Sequence, residues 1–202
     1  MKNNSFIFTT PNIKYKDTYI KGVEEFQKED KQKNINDSTV DYNDPKESFK
    51  KYMSRWDEHT FLIDDLTKNF DKYLKRWQDE SRGINLRPGY VPQTNYWLIV
   101  NGVYVGRVAI RHFLNEKLLT VGGHIGYNVI PSERRKGYGT ELLKYALIKS
   151  KEMGLDKVLL TCDETNTGSR KIIEKCGGVL ENIVDGETAN SSRKCRFWIS
   201  LI

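Results

Sequence analysis

The sequence predicts a mixed α+β domain in which helices lead and a mostly antiparallel sheet follows. Three observations carry this expectation. Apolar residues recur at helical spacing through the first 80 positions and at strand spacing from Thr94 onward. Asn101-Gly102 separates two apolar runs, and that dipeptide favours the tight turn of a β-hairpin. Further on, an apolar run ends at Ile130-Pro131 and passes through a basic, glycine-bearing loop into an amphipathic stretch, which is the order strand, loop, helix.

Phe6 to Thr9 reads as a first strand. Ile13 to Gln27 places Ile13, Tyr15, Tyr19, Ile20, Val23 and Phe26 at mostly helical spacing. Glu29 to Asn43 is polar and rich in lysine and asparagine, and is read as a loop. Asp44-Pro45 supplies an N-cap and a first helical residue, and Phe49, Tyr52, Met53 and Trp56 follow as an apolar stripe. Leu62 to Trp77 repeats the pattern with Ile63, Leu66, Phe70, Leu74 and Trp77, a stripe suited to a core. Gly83 to Gln93, with Pro88-Gly89 and Pro92, is a loop. Tyr96 to Val100 and Val103 to Ile110 are the hairpin strands. Asn115 to Gly122 turns the chain and His124 to Ile130 returns as a strand. Thr140 to Met153 is an amphipathic helix stopped by Gly154, Val158 to Cys162 is a strand, and Arg170 to Cys176 is a short helix ended by Gly177-Gly178. Val179 to Val184 and Arg196 to Leu201 close the chain as a hairpin.

The loop Arg134-Arg135-Lys136-Gly137-Tyr138-Gly139 has the makings of an anion site. The first N–H groups of a helix lack partners inside it, the helix dipole adds positive character there, and glycine lets backbone approach a phosphate. A P-loop would need its lysine after the second glycine, whereas Lys136 precedes Gly137. A dinucleotide fingerprint would need glycine where Leu142 stands. Taken alone, these six residues also suit a basic turn that caps a surface helix. The second segment changes the balance: Val158 to Cys162 is followed by Asn166-Thr167-Gly168-Ser169, a short helix and Gly177.

Arg-x-x-Gly-x-Gly after Val-x-Pro, followed by a strand, Asn-x-x-Ser, a helix and Gly, resembles the acyl-CoA loop and its partner segment in the GNAT superfamily of N-acyltransferases. Gly123 to Tyr127, Pro131 to Tyr138, Thr161 to Asp163 and Gly177 to Glu181 are similar to one bacterial group of acetyltransferases of unknown substrate. The resemblance covers residues 85 to 202. It implies a single GNAT-like domain over 1–202, with a divergent acceptor-side part (1–85) and an acetyl-CoA-binding part (86–202). The fold it implies has a splayed, mostly antiparallel sheet with one parallel neighbour pair.

Under that resemblance acetyl-CoA is the co-substrate and lies between the strand ending near Ile130 and the strand ending near Cys162. Backbone groups of Asn128, Val129 and Ile130 would hold the pantetheine arm. The loop Arg134, Arg135, Lys136, Gly137, Tyr138, Gly139 and Thr140 would hold the pyrophosphate, with Asn166 and Ser169 beside the cofactor. A primary amine, from a small molecule or a peptide, would attack the thioester directly, and the Val129 N–H is a candidate oxyanion donor. Deprotonating an amine of pKa about 10.4 at pH 7 costs roughly 4–5 kcal/mol, so a base is useful. His124 stands where many relatives place a glutamate, with His112 on the preceding strand. Relatives often carry a tyrosine as general acid where this chain has Ile173, which leaves Tyr127 and Cys162 as available groups. The alternative is a non-catalytic acyl-CoA-binding or sensor protein on the same scaffold.

Composition bounds the rest. A chain of 202 residues can form one domain. Its longest apolar runs are far below membrane-spanning length, and the start carries no signal-peptide core. Cys162, Cys176 and Cys195 form no even framework, which fits a reduced cytoplasmic protein. The histidines and cysteines show no metal-ligand spacing, and none is expected to hold a metal. Net charge is +6, but no dense basic block or nucleic-acid motif accompanies it, so no nucleic-acid partner is expected. A homodimer is compatible with the superfamily.

Overall fold

The computed structural model of the protein describes residues 5–34, 63–186 and 192–201. In chain order it contains β1 (Phe6–Thr9), a 3-10 turn (Ile13–Tyr15), α1 (Lys16–Asn34), α2 (Ile63–Lys68), α3 (Phe70–Ser81), β2 (Gln93–Val100), β3 (Val103–Arg111), α4 (Glu116–Thr120) and β4 (Ile125–Val129). A second 3-10 turn (Pro131–Glu133), α5 (Tyr138–Glu152), β5 (Lys157–Asp163), α6 (Thr167–Lys175), β6 (Val179–Val184) and β7 (Lys194–Ser200) complete it.

Most predicted elements are present, and the departures have local causes. The first helix continues to Asn34 through residues expected to be a loop. The segment Lys28 to Lys33 is polar but, Asp30 apart, made of residues with good helix propensity, with no glycine or proline to stop it. The predicted helix from Leu62 to Trp77 is broken at Asn69, whose φ of −118° and ψ of 28° are not helical. Asn69 Nδ2 donates to Asp65 Oδ1 at 2.8 Å, and Tyr73 donates to the other Asp65 oxygen at 2.6 Å, so local side-chain bonds compete with the helix ladder. The expected turn from Asn115 to Gly122 contains α4, capped by Asn115 Oδ1 accepting from the Leu118 N–H at 2.9 Å. The helix expected after Asp44-Pro45 lies outside the described residues.

The strands form two sheets, ordered β1-β2-β3-β4 and β5-β7-β6. Every ladder among the described residues is antiparallel, and the Asn101-Gly102 hairpin joins β2 to β3 with positive φ at both turn residues. The expected parallel ladder is absent among them: β4 and β5 meet at one bridge, Gly123 to Leu160. The two sheets therefore join at one end of β4 and diverge along it.

Two apolar layers hold this arrangement. On one face α5 packs Leu142, Leu143 and Ala146 against Leu98, Val108, Ile110 and Phe197. On the other, α1 and α3 pack aromatic residues against β2 and β3, with Tyr19 stacked on Trp97 at 4.3 Å and Trp77 edge-on to both. The stripes predicted on these helices are thus core. The register sets Trp97, Arg107 and Asn128 side by side across three strands, and likewise Asn95, Ala109 and Gly126. Trp97 faces α1 and α3, so these residues line the sheet surface beneath those helices.

Candidate active site

A cleft of about 570 Å³ runs through the divergence between β4 and β5. Its helix wall carries Phe26, Glu29 and Asp30 from α1 and Trp77 and Glu80 from α3. Arg107, Ala109 and Arg111 form its sheet wall, and Tyr127, Cys162, Asn166 and Ser169 line its other end.

The divergence has a specific chemical origin at His124. The His124 N–H donates to the Leu159 carbonyl at 2.7 Å, and the Leu159 N–H donates to the His124 ring at Nδ1, 2.9 Å away. A side chain thus accepts a bond that a strand carbonyl would otherwise take. The Gly122 N–H adds a bond to Thr161 Oγ1 at 3.0 Å. Past this stitch β4 has β3 on one side only. The Arg111 N–H donates to the His124 carbonyl and the Ile130 N–H to the Val105 carbonyl. Because backbone groups alternate along a strand, Ile125, Tyr127 and Val129 direct theirs to the open edge.

This geometry does not suit His124 to base catalysis. With Nδ1 accepting, the neutral ring carries its proton on Nε2 and has no lone pair left for an amine. Burial, reinforced by the nearby Arg111 charge, pushes its pKa from 6.5 down to about 4. His112 is also engaged elsewhere, with Nε2 2.9 Å from Thr94 Oγ1 and its pKa lowered by burial. Neither imidazole lines the cleft. Below pH 6.5 the unfolded His124 binds a proton that the folded one refuses until about pH 4, so acid favours unfolding across that window. Denaturant titrations at pH 7 and 4.5 should show stability falling with acid, and His124→Ala should flatten that dependence. The variant should also lose about 1–3 kcal/mol at pH 7, because it strands the Leu159 N–H. An equally steep acid dependence in the variant would contradict this role.

Tyr127 is differently placed. Its hydroxyl is buried and lies near Ser169, yet no hydrogen bond of ordinary geometry satisfies it among the described residues. Burial raises its pKa, so it stays protonated. Cys162 is likewise held as the thiol, its pKa pushed up to about 12 by burial and by neighbouring Cys195, which is opposite to what a nucleophile needs.

The loop before α5 differs in detail from expectation. Gly137 is the N-cap at φ 88°, no side chain caps the helix, and the first internal bonds run from the Thr140 and Glu141 N–H groups to the Gly137 carbonyl. The preceding N–H groups therefore remain available to an anion. The three cations are not equivalent. Arg134 is held by Glu29 of α1 at 2.6 and 2.8 Å and donates from Nε to the Val129 carbonyl at 3.2 Å, so it clamps α1 to the end of β4. Lys136 pairs with Glu133 at 2.9 Å. Arg135, at φ 66°, makes no ion pair among the described residues. The Tyr138 side chain is buried edge-on to Phe6, and Gly139 lies against Ile172, so their contribution to the loop is backbone. The Ile130 N–H, expected to face a cofactor, is spent on Val105. Asn166 caps α6 by accepting from the Ser169 N–H at 3.0 Å, which places both residues at the cleft mouth.

Sequence reading missed the polar residues of the acceptor half. Asn95 and Arg107 are buried and bonded, Arg107 Nη1 to Asn95 Oδ1 at 2.9 Å. Glu80, with a side chain 14% exposed, pairs with Arg76 at 3.3 Å and accepts from Gln93 at 3.4 Å. The signal was present: a cation inside the apolar run from Val103 to Ile110, and a carboxylate one turn beyond Trp77 on an apolar stripe.

The acetyltransferase (GNAT) family model matches residues 50–178. The chain belongs to that family. Solved structures of GNAT enzymes share its fold over nearly their whole length. The microcin C7 self-immunity acetyltransferase MccE, in complex with acetyl-CoA and AMP, aligns at TM-score 0.62 with 15% identity over 98% of this chain and 93% of that one. RimL, a ribosomal L7/L12 alpha-N-protein acetyltransferase in complex with coenzyme A, aligns at 0.63 with 10% identity over 97% and 94%. The spermidine/spermine N-acetyltransferase SpeG from Vibrio cholerae aligns at 0.55 with 15% identity over 98% and 95%. No curated protein matches the sequence. Among the described residues of this GNAT chain there is no metal-binding cluster of His, Cys, Asp or Glu, and no helix is long and apolar enough to cross a membrane.

Proposed function

We propose that this GNAT protein moves an acetyl group from acetyl-CoA to a primary amine in the cleft between β4 and β5. The observation that carries the reading is the continuity of two unfilled hydrogen-bonding surfaces. The open edge of β4 leads, through the turn Pro131–Glu133 and the loop after it, into the uncapped start of α5. An extended chain of amides ending in phosphates fits that surface: strand-like pairing for the amides, N–H groups for the phosphates. Backbone of Ile125 and Tyr127 holds the amide arm, since the Val129 carbonyl is already taken by Arg134. N–H groups from Arg135 to Gly139, with the Arg135 charge, hold the phosphates, and Asn166 and Ser169 close the opposite side.

Acetyl-CoA supplies the activated acyl group. As the amine nitrogen bonds to the acyl carbon and the carbon–sulfur bond breaks, one proton must leave the amine and one must reach the sulfur. Glu80, half-enclosed on the helix wall and steadied by Gln93, receives the first, through water. The Val129 N–H faces the developing oxyanion. The buried Tyr127 hydroxyl delivers the second proton, in place of the residue that Ile173 replaces.

Calorimetry with acetyl-CoA should give micromolar binding, and a library of amines should yield an acetylated product by mass spectrometry. Tyr127→Phe should keep the binding and lower kcat by about 10–100-fold. A folded protein without acetyl-CoA affinity would sink the reading. A non-catalytic acyl-CoA binder is the second reading, favoured by the structural use of His124 and by Ile173; it predicts binding with no turnover of any amine.

A further inference from the structure

We infer that Glu25 and Glu29 of α1 are positioning residues for acetyl-CoA, acting on it only through the turn that precedes the phosphate loop, an inference that rests on the acetyltransferase reading of the same cleft. Glu25 Oε2 accepts from the Ser132 N–H and Glu25 Oε1 from the Ser132 hydroxyl, each at 3.0 Å. One helical turn further on, Glu29 takes both Nη groups of Arg134, at 2.6 and 2.8 Å. The Arg134 Nε is anchored on the Val129 carbonyl, and its guanidinium lies over the Phe26 ring at 6.0 Å. Gly22 brings the helix backbone onto the same turn, since a Cβ there would lie 2.9 Å from Ile130 Cγ2. Gly22, Glu25 and Glu29 share one face of α1, and that face grips residues 130 to 134 from more than 100 positions away. Isolated exposed ion pairs fix little, but two-pronged pairs joined in a network fix a geometry.

Downstream of Arg134 the loop has few other constraints. The N–H groups from Arg135 to Gly139 make no backbone hydrogen bond among the described residues. Arg135 and Gly137 both stand at positive φ, 66° and 88°. A row of N–H groups binds phosphate well only when its directions are set beforehand, because ordering it on binding costs affinity. Its anchors are at its two ends: Tyr138 packed edge-on to Phe6 at one, the grip of α1 at the other.

The sign of the charges makes the role testable. Carboxylates beside a polyanion site repel the ligand, so on Coulomb's law alone neutralising them tightens binding. Were Arg134 itself a phosphate ligand, freeing it from Glu29 would tighten binding as well. Positioning gives the opposite sign.

The test is a calorimetric titration of acetyl-CoA into the wild type, Glu25→Gln, Glu29→Gln, Arg134→Gln and the double variant Glu29→Gln, Arg134→Gln, each at a temperature where a thermal melt shows it folded. Every single variant should bind acetyl-CoA at least about threefold more weakly than the wild type. The double variant should bind no more than about twofold more weakly than the poorer of its two parents, because both remove one contact. Glu25 does not line the cleft. In turnover of an amine that the wild type acetylates, Glu25→Gln should therefore raise the KM for acetyl-CoA and keep kcat within about twofold, a split that a general loss of structure does not give. The calorimetry decides without the turnover. Unchanged or tighter binding in Glu25→Gln or in Glu29→Gln would overturn the inference, as would losses in Glu29→Gln and Arg134→Gln that multiply in the double variant. Wild-type binding that survives intact in the glutamate variants removes the positioning role alone, whereas a folded wild type that does not bind acetyl-CoA removes the acetyltransferase reading.

Discussion

Replacing Gly137 by glutamate should weaken acetyl-CoA binding by at least about 100-fold, equivalent to roughly 2.7 kcal/mol, while leaving most of the fold's stability in place. The reason is local. A Cβ at Gly137 meets nothing within 4 Å, so no steric collision arises, although φ of 88° imposes a backbone penalty of about 1 kcal/mol on a non-glycine residue. The added carboxylate, however, stands at the uncapped start of α5, where it accepts the N–H groups that would otherwise meet phosphate. It also adds negative charge where the cofactor brings its own. Arg134 and Lys136 offer little to offset this, since each already has an acidic partner. The measurement is a calorimetric titration of acetyl-CoA beside a thermal melt. Unchanged affinity in a folded variant would move the phosphate site off this loop.

Gly123→Ala should have the largest effect on stability. A Cβ there lies 2.3 Å from the Leu159 carbonyl oxygen and 2.8 Å from its carbon, both backbone, and φ is 64°. Relief requires the chain leading into β4 to move away from β5 at the junction that holds the Gly123–Leu160 bridge and the His124–Leu159 bonds. Strain of about 1–3 kcal/mol from the backbone adds to displacement of the His124–Leu159 bonds, so a total loss near 3–4 kcal/mol is expected. The same substitution should reduce activity, because Gly123 also presents its carbonyl to Arg111. Equilibrium unfolding in urea checks the first part. A variant within 1 kcal/mol of the wild type would show that the junction between the sheets tolerates separation.

The elements that the sequence made legible are those decided by near neighbours in the chain. Period-two apolar runs specified β2 and β3, and Asn101-Gly102 specified their turn. The order strand, proline, basic glycine loop, helix specified the start of α5, and Gly177-Gly178 specified the end of α6. Each is a short-range fact of backbone stereochemistry and capping, and each was found where expected to within a few residues.

What the sequence could not show was which of several similar residues meets which. Three cations stand in a row at 134–136, and the sequence offers no means of ranking them. Glu29 of α1 settles Arg134 from far along the chain, and Glu133 settles Lys136. His124 looked suited to proton transfer by its residue type and unperturbed pKa. Its burial and the Leu159 N–H, which comes from another sheet, make it a hydrogen-bond acceptor that stays neutral down to about pH 4 instead. Asn95, Arg107 and Glu80 acquired their place only when β2, β3 and α3 packed together, since none belongs to a contiguous motif. Short-range stereochemistry is written residue by residue, so the sequence by itself determined the strands, the helices and the loop that opens α5. The electrostatics of a buried wall depends on which charges the fold brings within a few ångströms and how far it removes them from water, and that only the tertiary structure decided.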